Sequence, residues 1–332
     1  MRRRKRTASG HLAGARCLPK SCGKHRLCLC AQQSRQTLLS MDMQDGLGKG
    51  SMLVDSFGRR METLRLSVTD RCNFRCRYCM PPEGLPWIPT ARYISFDQIE
   101  TVARAFLELG GSKLRVTGGE PLLRPGIEDL VQRLSRLPGL HSLGITTNGS
   151  MLKAKAKDLW DAGLRSMNIS FDSLNPCKFE WISLSNSFAA VWDGLHEALR
   201  LGFKIKINTV VLKGITEREV VDLVELATRH HIEIRFIEFM PLCGTGWRPE
   251  LGFPIQTIRE WIEARWSLRA IPRGSAPAQS YHIEGTSARV GFIASLSEPF
   301  CDRCSRIRMS ADGIIRPCLF SKMGTDIKPY LN

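Results

Sequence analysis

From Leu64 onward the chain alternates short β-rich runs with stretches of helical period. The runs are LRLSV (64–68), KLRVTGG (113–119), SLGITTNG (142–149), SMNISFD (166–172), KIKINTVV (204–211) and IEIRFIEF (232–239). Between the first pairs lie SFDQIETVARAFLELG (95–110) and PGIEDLVQRLSRL (125–137). Ser95 and Gln98 are spaced as a capping box, after which Ile99, Val102, Ala103 and Phe106 share one helical face. Ile127, Leu130, Val131 and Leu134 repeat the stripe in the second segment. Six strands with helical crossovers predict an α/β fold, a parallel sheet covered by helices, either open or curled into an incomplete barrel. Both arrangements collect chemistry at the C-terminal ends of the strands. The unusual sequence falls at that edge: CNFRCRYC (72–79), GGEP (118–121), TTNG (146–149), the Ser170/Asp172 pair and the end of RFIEFMP (235–241). No stretch approaches 18 consecutive apolar residues, so no transmembrane helix is expected.

Charge changes the picture only when it is divided along the chain. The formal total is +16, but residues 1–41 hold ten Lys or Arg and no acid, leaving about +6 on the other 291 residues. That remainder suits a domain handling anionic small molecules and is no footprint for nucleic acid. Residues 1–54 read as a basic leader. As an extension from an early start codon it leaves a cytoplasmic protein; as a presequence it sends the chain to the mitochondrial matrix. Poor helical amphipathicity favours the extension. Its cysteines, Cys17, Cys22, Cys28 and Cys30, fit no obvious metal spacing.

Two other cysteine sets carry the chemistry. Cys72, Cys76 and Cys79, spaced CxxxCxxC, are one thiolate short of a closed tetrahedral zinc site. An iron–sulfur cube on three cysteines keeps one iron open, able to chelate an amino acid through amine and carboxylate. Disulfides fit poorly with an α/β pattern and no secretory signal. Arg75 and Arg77 would offset the thiolate charge. The second set, Cys301, Cys304 and Cys318, follows CxxC-x13-C around an Ala-Asp-Gly turn. It reads either as structural zinc, with Cys243 drawn in as fourth ligand, or as a second open cluster facing a substrate. His230 and His231 read as helix-end or turn residues, and Trp247 and Trp261 as packing. Cys177 lacks a metal-like partner, and Glu238 either faces inward or pairs with a buried cation.

CxxxCxxC followed in order by GGEP resembles the radical S-adenosylmethionine enzymes. The resemblance implies an incomplete parallel (β/α)6 TIM-like barrel over 55–241, with a cluster-binding C-terminal extension over 242–332. It makes Cys72, Cys76 and Cys79 the ligands of a 4Fe-4S cluster whose open iron takes the methionyl end of S-adenosylmethionine. Gly118, Gly119, Glu120 and Pro121 would flank the methionyl amine. Thr146 and Ser170 would be further cofactor contacts and Met240 the adenine contact, while Tyr78 either lies against the adenine or packs the loop.

More narrowly, DSFGR (55–59), LRLSVTDRCNFRCRYCMP (64–81), KLRVTGGEP (113–121), IRFIEFMP (234–241) and CDRCSRIRMSADG (301–313) resemble the GTP 3',8-cyclases of molybdenum cofactor biosynthesis. That family implies a second 4Fe-4S cluster on Cys301, Cys304 and Cys318, with guanine at its open iron. The radical formed from the first cofactor pair takes hydrogen from C3' of GTP, and C3' then joins C8. The product, 3',8-cyclo-7,8-dihydroguanosine triphosphate, passes to a cyclic pyranopterin monophosphate synthase. An external electron donor is implied, a homodimer is left open, and neither nucleic acid nor membrane is expected as a partner. Arg65, Lys113 and Arg235 resemble triphosphate contacts, with Arg115 and Lys206 as further candidates. The alternative for each is a solvated charge, although LRLS and KIKIN alternation would turn Arg65 and Lys206 into a barrel interior. Arg306 and Arg308 resemble arginines beside the second cluster that the reaction requires.

Two other readings remain open here: a two-cluster enzyme that modifies peptides, and a cluster-binding homologue without turnover. The family pattern continues past CLF (318–320) into helices and a Gly-Gly tail, whereas this sequence ends DIKPYLN, and SLSNSF (183–188) lacks an arginine often found there. Cluster and cofactor binding, with cyclisation slow or absent, is the expectation.

Overall fold

A computed structural model describes residues 52–81, 83–242, 245 and 248–331. The leader cysteines, Cys243 and Trp247 lie outside the described residues.

The six expected strands are β1 (Thr63–Ser67), β2 (Lys113–Thr117), β3 (Ser142–Thr147), β4 (Ser166–Ser170), β5 (Lys204–Val211) and β6 (Glu233–Glu238). They pair in chain order, every neighbour parallel. Helices α1 (Phe96–Glu108), α2 (Ile127–Ser135), α3 (Leu152–Asp161), α4 (Pro176–Ser183), α5 (Phe188–Arg200) and α6 (Val220–Arg229) make the crossovers, and α7 (Ile255–Glu263) follows β6. The capping box of α1 forms: Ser95 Oγ accepts from the Gln98 amide, and Gln98 Oε1 accepts from the Ser95 amide. The forecast apolar faces of α1 and α2 are buried throughout, against Leu64, Leu66, Leu114 and Val116 of the sheet. His230 caps α6, and His231 turns into the left-handed region at φ 57°.

Residues beyond 241 do not form a separate sheet. β9 (Arg289–Ile293) pairs parallel with β6, and β10 (Arg306–Met309) pairs parallel with β1. The C-terminal part thus extends both edges of the six-stranded unit. Antiparallel β8 (Gln279–Ile283) and β7 (Leu268–Ala270) finish one side, with β11 (Ile314–Arg316) and β12 (Thr325–Asp326) on the other. The strand order runs from β12 to β7 without closing among the described residues. The sheet nevertheless curls: Arg115 on β2 feels the charge of Arg235 on β6, four strands away. This is the incomplete barrel, with helices outside and a polar interior.

Candidate active site

The first cysteine loop leaves β1 at the C-terminal mouth and is fixed by its neighbours. Phe74 is buried edge-on against Phe179 of α4. The amides of Arg75 and Arg77 donate to Ser183 O and Ile182 O, both at 2.9 Å. Those carbonyls belong to the last turn of α4, which has no intrahelical donors for them. Cys79 N donates to Cys76 O at 2.8 Å. Burial pushes all three thiols up; the charges of Cys72 and Cys79 add to this at Cys76, and that of Cys72 does so at Cys79. The three sulfurs therefore stand within one another's field. Among the described residues no three Cys, His, Asp or Glu converge as ligands of a single ion; the thiolates of an iron–sulfur cube each bind a different iron.

Of the two arginines of this loop, Arg75 stands near enough to Cys72 for its charge to favour the thiolate there, against the larger effect of burial, while Arg77 points elsewhere than the sequence suggested. Arg77 Nε donates to Trp181 O at 2.7 Å, and its guanidinium lies over the Trp181 ring. Arg75 donates to Cys72 O and Phe74 O and covers Trp87. Both brace the loop, because donors on either side of a three-cysteine turn satisfy carbonyls that the turn leaves unpaired.

Gly118 and Gly119 let a second loop lie directly on the first. A Cβ on Gly119 would stand 2.1 Å from Arg71 O, and one on Gly118 2.6 Å from Thr69 O. Gly119 N donates to Thr69 O and Glu120 N to Arg71 O. The Glu120 side chain is buried behind this turn, accepting from Thr147 Oγ1, Asn148 N and Leu122 N, and stays near enough to Cys72 for its charge to act there. Burial pushes its carboxyl up to about 7. Pro121 begins the short turn that follows, and Met240, half-buried, lies just past β6 on the same mouth. Tyr78 donates to Asp172, a residue that the sequence placed at this mouth without a role. Thr146 Oγ1 is buried with no hydrogen-bond partner, an acceptor and donor left for a ligand.

The interior between the mouths is cationic. Register sets Arg65 between Arg308 of β10 and Arg115 of β2. Burial and the charges of Arg308, Arg306 and Arg115 push Arg65 down to about 9. Arg115 and Arg308, half-buried like Arg65, are each pushed down to about 10, chiefly by burial. Arg115 finds room because β3 carries Gly144, whose Cβ would stand 2.3 Å from its guanidinium. It donates to Ile145 O and Asn168 Oδ1. Arg306 lies over the Phe300 ring with its Nε buried and unpartnered.

The remaining cations have carboxylate partners. Glu233 accepts from Arg235 at 2.6 Å and pairs with Lys206 at 3.3 Å. Glu62 pairs with Lys113 at 3.1 Å and accepts from Ser275 at 2.7 Å. All seven predicted cations thus lie along the inner strand faces, with Lys113 at the edge, its side chain 45% exposed. Glu62, Glu233 and Gly144 were missed; the alternation that turned Lys206 inward also turns Glu233 inward, one strand over.

The second cysteine set gathers at the opposite mouth by topology. Cys301 and Cys304 precede β10, which runs parallel to β1, and Cys318 follows β11, which returns antiparallel. Cys304 and Cys318 both lie close enough to Arg308 for their charge to favour its cationic form. Arg59 of the DSFGR run ion-pairs with Asp55 and donates to Cys301 O at 2.5 Å, 242 residues along the chain. Among the described residues Glu238 makes no ion pair; it accepts from the amides of Leu296 and Ser297.

A curled parallel sheet with three cysteines on its first loop and a Gly-Gly-Glu-Pro turn packed against them defines a radical S-adenosylmethionine protein. Residues 66–227 match the Radical SAM superfamily, and residues 232–332 match Molybdenum Cofactor Synthesis C. The chain is 40% identical over 282 residues to GTP 3',8-cyclase of Pelotomaculum thermopropionicum, covering 83% of this chain and 87% of that one. It is therefore a member of the GTP 3',8-cyclase family. It is also 42% identical over 284 residues to molybdenum cofactor biosynthesis protein 1 of Mus musculus, covering 85% of this chain but 45% of that protein. The chain thus spans a little under half of the mouse relative. In fold it is similar to SuiB of Streptococcus suis, with a TM-score of 0.59, 14% identity, and coverage of 81% and 64%.

Proposed function

We propose that the chain catalyses the 3',8-cyclisation of GTP, the first step of molybdenum cofactor assembly. The observation that carries this reading is Arg65: a guanidinium enclosed among Arg115, Arg306 and Arg308 with no acid beside it. Buried cations without counter-ions are costly, and a triphosphate supplies the missing charge through paired N–H donors. Lys113, Lys206 and Arg235, already held forward by Glu62 and Glu233, line the same passage.

Cys72, Cys76 and Cys79 would hold one 4Fe-4S cluster and Cys301, Cys304 and Cys318 a second. When bound, the first cluster and S-adenosylmethionine supply a radical able to take hydrogen from C3' of the nucleotide. The protein's part is placement. Gly118 and Gly119 bring the second loop against the cysteine loop, Tyr78 and Met240 border the cofactor mouth, and Thr146 and Ser170 offer hydroxyls inside it. Arg306 and Arg308 stand between the triphosphate passage and the second cysteine set, where the base would sit. An external reductant and a synthase that takes up the cyclised nucleotide complete the scheme.

Anaerobic reconstitution tests it. Roughly eight irons per chain are expected, falling by half when either cysteine set is replaced by alanine. With reductant, S-adenosylmethionine and GTP, 5'-deoxyadenosine and the cyclised nucleotide should form together. Cofactor cleavage indifferent to GTP, with no nucleotide product at full iron loading, would overturn the reading. Tightly bound zinc at the second set would overturn the second cluster alone.

A further inference from the structure

Asn148 follows β3 beside the first cysteine loop, buried, and its side-chain amide is held in one orientation. Its Oδ1 accepts from Ser150 N at 3.0 Å and from Ser150 Oγ at 2.8 Å. Its backbone amide donates to Glu120 at 2.7 Å. The backbone donor of Ser150 decides which way round the side chain sits, because turning it over would set N–H against N–H. The NH2 group therefore faces the cysteine loop. It donates to Asn73 Oδ1 at 2.8 Å and stands 3.9 Å from Cys72 Sγ. Asn73 in turn donates to Ser150 Oγ at 2.9 Å, which closes a ring of three side chains beside the first cysteine.

Asn73 takes one of the two N–H groups of Asn148, and the other has the Cys72 sulfur as its acceptor. The same sulfur accepts from Phe74 N at 3.4 Å. A thiol is a weak acceptor, so the longer contact is loose; a thiolate is anionic, and bonds to ionised groups are shorter and stronger. Hydrogen bonds to the sulfurs help set the potential of an iron–sulfur cluster. Donors favour the reduced form, whose charge is one unit more negative.

We propose that Asn148 donates to the Cys72 thiolate of the loaded first cluster and thereby raises the potential at which that cluster takes one electron from the external reductant. This rests on the first cluster alone and stands whether or not GTP is the substrate. Asn148 acts through Cys72 and is a positioning residue. Bracing of the loop would be shared equally by Asn73 and Ser150; a donor to sulfur would not.

The test is a redox titration of the two-cluster protein followed by electron paramagnetic resonance, with no nucleotide present. The first cluster's signal is the one that changes shape when S-adenosylhomocysteine is added. Asn148→Leu keeps the volume and removes the donor. At full iron loading its reduced-to-oxidised ratio at a fixed potential should fall roughly tenfold, about 59 mV for one electron. Asn73→Ala opens the ring but leaves the Asn148 N–H beside the sulfur, so its potential should not fall. An equal fall in both variants would mean that the ring only braces the loop, and an unchanged potential in Asn148→Leu would mean that Cys72 accepts nothing from it; either overturns the inference. Should Asn148→Leu load too little iron, Asn73→Ala protein isotopically labelled on asparagine side-chain nitrogen decides instead. A labelled nitrogen coupled to the reduced first cluster is expected, and its absence overturns the proposal. If no signal responds to S-adenosylhomocysteine, the reading of the first cluster fails and the inference falls with it.

Discussion

The Tyr78 phenol donates to Asp172 Oδ2 at 2.7 Å, while Asp172 Oδ1 accepts from Val210 N at 2.8 Å. One carboxylate thereby ties the cysteine loop to β4 and β5. Asp172→Ala leaves a buried phenol and a buried amide without partners, each a loss of about 1–3 kcal/mol. The expected result is full iron at the first site with a roughly tenfold weaker S-adenosylmethionine affinity, measured by titration. Loss of the iron itself would show that the tie holds the cluster loop together rather than the cofactor mouth.

Arg65 should trade stability for binding. Arg65→Met removes a cation enclosed by three others, and the nucleotide-free protein should gain about 1–4 kcal/mol in denaturant unfolding. GTP affinity should fall roughly a hundredfold. A variant that is less stable and binds GTP normally would mean that Arg65 has an internal partner.

Two glycine substitutions should separate folding from binding. In Gly144→Ala the new methyl meets the far end of the Arg115 side chain, which can swing aside; in Gly119→Ala it meets the Arg71 carbonyl, which cannot. The first should fold and load iron normally while KM for GTP rises several-fold. The second should lose the first cluster. Iron content and KM, measured on both, check the contrast.

Glu120 should tilt stability with pH. Burial raises its carboxyl from 4.5 to about 7, so between these values the folded state holds a proton that the unfolded state has released. Its contribution is full below pH 4.5 and is lost as pH rises through 7, on the order of 3 kcal/mol. Glu120→Gln should flatten this slope in melting curves from pH 5 to 8. Identical slopes would mean that Glu120 is already ionised throughout.

Strand order, helix faces and the clustering of unusual loops at one mouth were legible because alternation and 3.6-residue period survive at every β/α step. The inward turn of Arg65 and Lys206 came from the same alternation. Other features depend on partners far away in sequence. Nothing in CNFRCRYC says that Arg77 will prefer Trp181 to the thiolates, or that α4 will offer its last carbonyls to this loop. Glu120 reads as part of a turn, yet its acceptor oxygens are claimed by Thr147 and Asn148. β9 and β10 are short strands in a region of mixed pattern, and only pairing reveals that they flank β6 and β1.

That flanking imposes an order on biosynthesis. Residues 63–238 leave the ribosome as a half-barrel with bare strand edges at β1 and β6. The β1 edge waits until Arg306–Met309 emerge, a delay on the order of ten seconds at ordinary translation rates. An uncovered parallel edge is a template for pairing with other chains, so the nascent protein is most exposed to misassembly during this interval. Iron loading at the second mouth must wait longer still, until Cys318 has joined the hairpin. A strand made some 240 residues after β1 is therefore the clasp for its edge.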